Sequence, residues 1–279
     1  MSLKSFPDPD AINIEENTDT LKIMSWNLWW KFEDYLERQK LIFSEIEKLT
    51  PDILCLQEVW EEEDESQADK IAGLLDYEFV YGKSFDFDGV AFGNAIISKY
   101  PIKDHSVNYM AAEQKYDEKR LLLHAQILYK EMNIDIMCTH LNYKYEHQHV
   151  RENQVKYILK YISNLKKNKF PVILCGDFNA DPNSDEIRMI TGHRKSMEEI
   201  VLRDSWTMTN PESPGFTWSN KNSYAKKTLE SDRRIDYIFV GKAGSKGLGH
   251  PLSTVLVGTE ENNSLFPSDH FGIMTHLAG

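Results

Sequence analysis

Apolar positions along this chain recur with two periods, and their alternation sets the expected architecture. Leu21 to Trp26 reads as a strand, after which Phe32, Tyr35, Leu36, Phe43, Ile46 and Leu49 follow a helical spacing that Thr50-Pro51-Asp52 ends. Ile53 to Leu56 is apolar throughout, as suits a strand buried on both faces that arrives after a crossover helix. The acidic run Glu61–Glu65 is expected to open a second helix ending near Leu75, with its carboxylates at the positive end of the dipole. Strands are expected at 78–81, 90–98, 121–129 and 134–139, then a helix carrying Val150, Gln154, Tyr157, Ile158, Tyr161 and Leu165 on one stripe, then a buried strand at 171–175. A short helix with Ser184 as N-cap follows, with strands at 234–240, 251–257 and 271–276. Strand, helix, buried strand occurs twice, which predicts an α/β protein in which two mixed sheets pack face to face with helices outside, a four-layer sandwich.

Residues 1–20 are polar and acidic with two prolines and read as a flexible tail, leaving 21–279 as one catalytic domain. Cys55, Cys138 and Cys175 each lie in an apolar run away from any zinc-type spacing, so they are expected to be reduced core residues. No apolar stretch has the length of a membrane span, and no signal-like pattern opens the chain, which leads to the expectation of a cytoplasmic monomer without integral membrane association. A net charge of −12 makes the average surface repel phosphate chains and argues against a non-specific nucleic-acid coat protein. Bound cations can still reverse the potential inside one cleft.

The chemistry is concentrated where polar residues interrupt the apolar strands. Ile23-Met24-Ser25-Trp26 ends in Asn27, Ile53-Leu54-Cys55-Leu56 in Gln57-Glu58, and Ile136-Met137-Cys138-Thr139 in His140. Val172-Ile173-Leu174-Cys175 runs into Gly176-Asp177-Phe178-Asn179, while Arg234-Ile235-Asp236-Tyr237 and Ser268-Asp269-His270 open later strands. Each alone reads as a turn residue, a helix-start charge or a structural histidine. Six segments delivering hard oxygen donors and imidazoles at strand ends, where α/β sheets bind ligands, point instead to phosphate-ester hydrolysis. That reaction needs carboxylates for a hard cation and imidazoles for protons and phosphate oxygens. The absence of zinc-type Cys/His clusters favours Mg²⁺ or Mn²⁺.

Together the six blocks resemble the ordered motif set of the endonuclease/exonuclease/phosphatase superfamily, over Leu21 to the C-terminus. The resemblance implies that Glu58 is the principal Mg²⁺ ligand, with Asn27 and Asp269 near the metal or its waters. It implies that Asp177 orients and deprotonates the attacking water and that Asn179 fixes that geometry or binds a phosphate oxygen. His270, held in its tautomer by Asp236, would hydrogen-bond the phosphate. His140 would stabilise charge in the transition state or protonate the leaving oxygen. Arg120 either matches an arginine that many members place near the phosphate or is an ordinary exposed strand end. Gly93-Asn94-Ala95-Ile96-Ile97-Ser98 resembles a common family strand in which Asn94 is scaffold.

The substrate is less defined. His140 stands where abasic-site endonucleases typically carry Tyr, which argues against that branch. Trp29, Trp30, Trp60, Tyr143, Tyr145 and Trp218 lie near the motifs and either pack or cover a base or a lipid headgroup. The basic pairs Lys166-Lys167, Lys226-Lys227 and Arg233-Arg234 are short and scattered, so no track for duplex DNA is legible. The expectation is a phosphodiesterase for a small diester, a short or single-stranded nucleic acid, a nucleotide or a lipid headgroup. The alternatives are a phosphomonoesterase for an inositol phosphate, nucleotide or sugar phosphate, and a non-catalytic binding module.

Overall fold

A computed structural model describes residues 19–111, 119–196 and 198–279. Most of the expected tail, residues 1–18, lies outside the described residues; Asp19 is described, and Thr20 opens the first strand.

The elements run β1 (Thr20–Asn27), α1 (Tyr35–Leu49), β2 (Ile53–Glu61), α2 (Gln67–Leu75), β3 (Glu78–Phe87), β4 (Val90–Ser98), β5 (Ile102–Tyr109), β6 (Leu121–Tyr129), β7 (Met132–His140), α3 (Gln148–Ser163), β8 (Ile173–Asp177), α4 (Asp185–Ile190), β9 (Arg203–Asp204), α5 (Ser205–Thr209), β10 (Asp236–Val240), β11 (Pro251–Val257) and β12 (Gly272–Ala278). They form two six-stranded sheets, β11-β12-β1-β2-β4-β3 and β5-β6-β7-β8-β10-β9. Between the sheets lies an apolar layer that includes Ile23, Cys55, Ile96, Leu123, Ile136, Cys138, Cys175, Ile238 and Ile273. Ile42, Ile46, Ala68 and Ile71 of α1 and α2 cover the outer face of the first sheet; Val155, Ile158, Ile187 and Ile190 of α3 and α4 cover that of the second. The expected four-layer sandwich of two mixed sheets is the fold observed. All three cysteines are free and buried, as their apolar surroundings predict. Among the described residues no helix is long and apolar enough to cross a membrane.

Strand direction explains why one rim collects the polar residues. β1 pairs parallel to β2 and β7 parallel to β8, so these four strands finish at the same end of the sandwich. Their other neighbours run antiparallel and begin there: β12 against β1, β4 against β2, β6 against β7 and β10 against β8. With a side-chain period of two, the residue after Ile23 and Ser25 on the inward face is Asn27, that after Ile136 and Cys138 is His140, and that after Ile173 and Cys175 is Asp177. The polar rim is therefore the continuation of the inter-sheet core.

Several local expectations are corrected. Glu61–Glu65 does not open α2: Glu61 ends β2, a bridge joins Glu61 to Ser66, and Ser66 is the N-cap, its hydroxyl accepting from the Asp69 backbone N at 3.4 Å. A hydroxyl acceptor satisfies a helix-terminal N–H directly, whereas the dipole only biases where carboxylates fall. Ser184 stands at the N-cap of α4 but spends its hydroxyl on the Asp181 carbonyl, 2.7 Å away. The buried face of α1 is Arg38, Ile42 and Ile46, and Phe32 and Leu36 are exposed. The edge strands β5 and β9 and the helix α5 had no clear pattern, because an edge strand half in solvent carries few apolar positions.

One polar network lies on the outer face of the second sheet. Asp135 accepts from His124 Nε2 at 3.0 Å, Gln126 at 3.2 Å and Asn168 at 2.6 Å. The other ring nitrogen of His124, Nδ1, lies 2.9 Å from the Tyr161 hydroxyl. Burial pushes the Asp135 carboxyl upward, but these hydrogen bonds outweigh it and hold it below its ordinary value. A depressed acid stabilises the fold above its unfolded-state pKa and loses that contribution as pH falls through its folded value. Asp135→Ala should therefore cost about 1–3 kcal/mol at pH 7, and urea titrations should show the deficit shrinking below about pH 4. An equal deficit at pH 7 and in the acid range would remove the carboxylate from this account.

Candidate active site

The rim residues meet in a cleft of about 530 Å³ whose lining includes Glu58, Arg120, His140, Asp177, Asn179, Asp269 and His270. Asn27, fully buried at the end of β1, ties two carboxylates together: its Nδ2 donates to Glu58 Oε1 and to Asp177 Oδ2, both at 3.0 Å. Its Oδ1 accepts from the Trp29 backbone N at 2.9 Å, which fixes the amide orientation. Asp177 also accepts from the Asn179 backbone N at 2.9 Å, while Asn179 Nδ2 donates to the Leu141 carbonyl at 3.2 Å.

Two backbone features place the carboxylates. A bulge between Leu56 and Val59 breaks the register of β2 with β4, and within it Glu58 adopts φ 54°, a left-handed conformation. Regular alternation would send Glu58 outward with Leu56; the bulge turns it into the cleft. Backbone strain of this kind is typical of functional positions. Before Asp177, Gly176 lets β8 lie against β7, since a Cβ there would sit 2.0 Å from the Thr139 carbonyl oxygen.

On the other side, Asp236 opens β10 directly opposite Asp177 and contacts His270 Nδ1 through Oδ2 at 2.9 Å. His270 Nε2 then faces Asp177 Oδ2 at 3.7 Å. Burial pushes the His270 imidazole down, but Asp236 and Asp177 outweigh it and hold it well above its ordinary value, so it carries a proton at neutral pH. His140 is the opposite case. Burial, then the charges of Arg120 and His270, hold it well below its ordinary value, and its neutral ring presents Nε2 to Asp177 Oδ2 at 3.5 Å and Glu58 Oε1 at 4.0 Å. Ser268 donates to the Asn27 carbonyl at 2.7 Å and to Asp269 Oδ1 at 3.3 Å, joining the last motif to the first.

Burial, followed by the charge of Asp269, raises Glu58 to about 7. Burial, followed by Asp236, raises Asp177 to about 6, and burial raises Asp269 as well. The site thus holds more negative charge than its own cations neutralise. Oxygen donors alone at Glu58, Asp269 and Asn27 suit a hard divalent cation. Ligand atoms of Asp177, Asp236 and His270 also lie within 4.8 Å of one another. There, however, a charged imidazole already joins the two carboxylates and supplies the positive charge, so the Glu58 side is the better place for a cation.

The structure brings all nine predicted residues to this rim. Several contributors were not singled out, Lys144 and Glu230 of the lining among them. Arg38 is buried and donates to the carbonyls of Leu28, Trp29, Trp30, Phe32 and Pro267, gathering the loop after β1 and the loop before Asp269. Its signal was legible as a charge at i−4 and i−8 to Ile42 and Ile46 on the buried face of α1. Phe32, Phe85 and Phe92 line the cleft although their spacing reads as helix face or strand. Trp218, noted in the sequence only for its position, stands edge-on to His270, 4.9 Å between ring centres.

Comparison with known proteins agrees with this geometry. A family model described as Endonuclease/Exonuclease/phosphatase family matches residues 24–270. The chain is similar to the uncharacterized protein YbhP of Escherichia coli, 28% identical over 48% of this chain and 56% of that protein, little more than half the relative's length. It is also similar to an inositol phosphosphingolipids phospholipase C of Schizosaccharomyces pombe, 26% identical over 94% of this chain and 69% of that one. In fold it resembles D. rerio TDP2, solved in complex with a single-strand DNA product, with a TM-score of 0.74 and 23% identity over 92% of this chain and 98% of that one. The chain belongs to the Endonuclease/Exonuclease/phosphatase family, whose members are hydrolytic phosphoesterases that typically depend on a divalent metal.

Proposed function

We propose that this protein is a Mg²⁺- or Mn²⁺-dependent phosphodiesterase acting on short or single-stranded nucleic acid or a comparable small diester, with residues 21–279 as its catalytic unit. The observation that carries this reading is the double tether of Asn27 to Glu58 and Asp177 across the two sheets. It couples a carboxylate suited to a cation with one suited to a water. The single-strand DNA product held by D. rerio TDP2 and the phospholipase name of the S. pombe relative both support a diester.

Glu58 would hold the cation, with Asn27 and Asp269 beside it, and the bound ion would neutralise charge as it builds on the phosphoryl oxygens. Asp177, fixed by Asn27 and by the Asn179 backbone N–H, orients a water and takes its proton. The water oxygen forms the new bond to phosphorus as the ester P–O bond breaks, the leaving alkoxide takes a proton from a solvent water, and Asp177 returns its proton to solvent. Protonated His270, oriented by Asp236, donates to a phosphoryl oxygen. Neutral His140 stands on the same floor, where it donates to the phosphoryl group or serves the leaving oxygen. Asn179 fixes the loop, and Arg120 lines the cleft as a further positive charge.

With bis-p-nitrophenyl phosphate and Mn²⁺, Asp177→Ala should lower kcat by roughly 10²- to 10⁴-fold, and chelator should abolish wild-type turnover. Turnover that survives chelator, or is unchanged in Asp177→Ala, rejects the reading. A phosphomonoesterase would show itself by preferring p-nitrophenyl phosphate in the same assay. Binding of the cation has its own readout. Mg²⁺ at about 100 times its Kd should stabilise the wild type by about 2.7 kcal/mol, seen as a rise in Tm, and Glu58→Gln should lose most of that rise while its metal-free Tm does not fall. The metal-free comparison matters because the substitution removes one of several crowded carboxylates. An undiminished Mg²⁺ response in Glu58→Gln would move the cation elsewhere.

A further inference from the structure

The two sheets supply chemically different walls to the cleft. From the first sheet come Trp29 and Phe32, in the loop after β1, and Phe85 and Phe92, on the β3–β4 hairpin. Phe85 and Phe92 are stacked with ring centres 4.7 Å apart and planes 14° apart, and Trp30 links Phe92 to Phe32 behind them. Phe32 is 44% exposed, and no Lys or Arg is among the described residues lining this wall. Of the neighbouring exposed acids, Glu33 is paired with Lys227 and Asp86 with Lys83, while Asp88 lies at the tip of the hairpin. From the second sheet come Arg120 before β6, Tyr143, Lys144 and Tyr145 after β7, and Arg233 before β10. Arg233 lies 4.4 Å over the Tyr145 ring and is paired with Asp181 at 3.2 Å and with Glu230, an acid of the same wall, at 3.6 Å, which leaves Lys144 as the more accessible cation there. Arg151 holds the Tyr143–Tyr145 loop by donating to the Asn142, Lys144 and Tyr145 carbonyls, and it is itself fixed by buried Glu186 at 2.8 Å.

We infer that the cleft reads the two sides of the scissile linkage differently: an uncharged flat ring lies on the Trp29, Phe32, Phe85 and Phe92 wall, and a second phosphate meets Lys144 and Arg233 on the other. This rests on the phosphodiesterase reading and deepens it. The occupant that meets both conditions is the terminal linkage of a short single strand, whose last nucleoside carries a base and no further phosphate while its neighbour carries the rest of the anionic backbone. Stacking on aromatic faces is tolerant of base identity, and phosphate contacts to Lys and Arg weaken with salt. With no Lys or Arg among the described residues lining it, the aromatic wall offers a second phosphate no counter-charge, so the polarity of the strand follows from charge as well as from stacking.

The test uses the full-length protein with Mn²⁺ and the dinucleotide TpT, its terminally phosphorylated forms pTpT and TpTp, the two isomers of TpT lacking one base, and sphingomyelin in mixed micelles. The wild type should prefer one of pTpT and TpTp over TpT, and raising NaCl to about 200 mM should erase the preference. Lys144→Ala should erase it at low salt. Phe32→Ala should raise KM for TpT about tenfold, and one of the two abasic isomers should lose that sensitivity. Equal wild-type KM for TpT, pTpT and TpTp overturns the inference, as does a Phe32→Ala effect equal on both abasic isomers and TpT. Faster hydrolysis of sphingomyelin than of any nucleotide, with the same dependence on Phe32, assigns the aromatic wall to a lipid headgroup and overturns the nucleoside assignment. Hydrolysis of none of these diesters overturns the phosphodiesterase reading itself, and this inference with it.

Discussion

Glu58, Asp177, Asp236 and Asp269 crowd together where the apolar layer meets the cleft, and the repulsion among them is the constraint to which the rest of the rim answers. Burial alone would neutralise such carboxylates by protonation. The protein meets this in two ways. Around Asp236 and Asp177 it inserts its own cation, the His270 imidazolium, on hydrogen-bonding terms with one carboxylate and close to the other. Around Glu58 and Asp269 it supplies neutral donors, the Asn27 amide and the Ser268 hydroxyl, with the charges of His270 and Arg38 acting from further away; both carboxyls stay raised, and an external cation has a reason to bind. The two imidazoles are both buried and both face Asp177, but at His270 the charges of Asp236 and Asp177 outweigh burial, whereas at His140 burial and the charges of Arg120 and His270 prevail.

That arrangement depends on strand direction. Parallel pairs at the centre of each sheet, flanked by antiparallel strands, bring the ends of β1, β2, β7 and β8 to the same edge as the beginnings of β10 and β12. Segments as distant as Asn27 and Ser268 then lie within hydrogen-bonding reach through ordinary sheet pairing. Asn27, His140, Asp177 and Asp236 each belong to a strand whose inward face continues into the closed core, so the catalytic geometry inherits the rigidity of close packing.

Much of this was readable from residue order, for physical reasons. Asn27, His140 and Asp177 each follow an apolar run at the inward period of two, so both the strand and the residue that leaves its core are visible in one dimension. Glu58 was identified by its block, but not the way it reaches the cleft: a bulge is one residue of broken register, and the run Gln57-Glu58-Val59 carries no sign of it. Arg38 escaped notice because a guanidinium on an apolar helix face reads as surface until its five backbone acceptors are seen. Phe32 was assigned to the buried stripe of α1, yet that helix begins three residues later and the ring belongs to the cleft. Edge elements such as β5 and β9 are set by pairing with a neighbour more than by their own pattern.

The overall charge of −12 at first argues against any anionic substrate. Its distribution answers the objection. Among the described residues, the lysine and arginine side chains lining the cleft come from the second sheet, where Arg233 and Lys144 stand over tyrosine rings and Arg120 lies beside His140, while the first sheet contributes the His270 imidazolium and a wall of aromatic rings. A polyanion approaching elsewhere meets repulsion; one entering along the second sheet meets cations, then the carboxylate floor that a divalent ion would invert. An acidic surface of this kind costs a short substrate little, because it crosses few Debye lengths of unfavourable potential, and costs a long duplex much more, because its flanking phosphates must lie over that surface. The same charge balance that weakens general affinity for nucleic acid would therefore sharpen the preference proposed for this cleft, for small or single-stranded diesters.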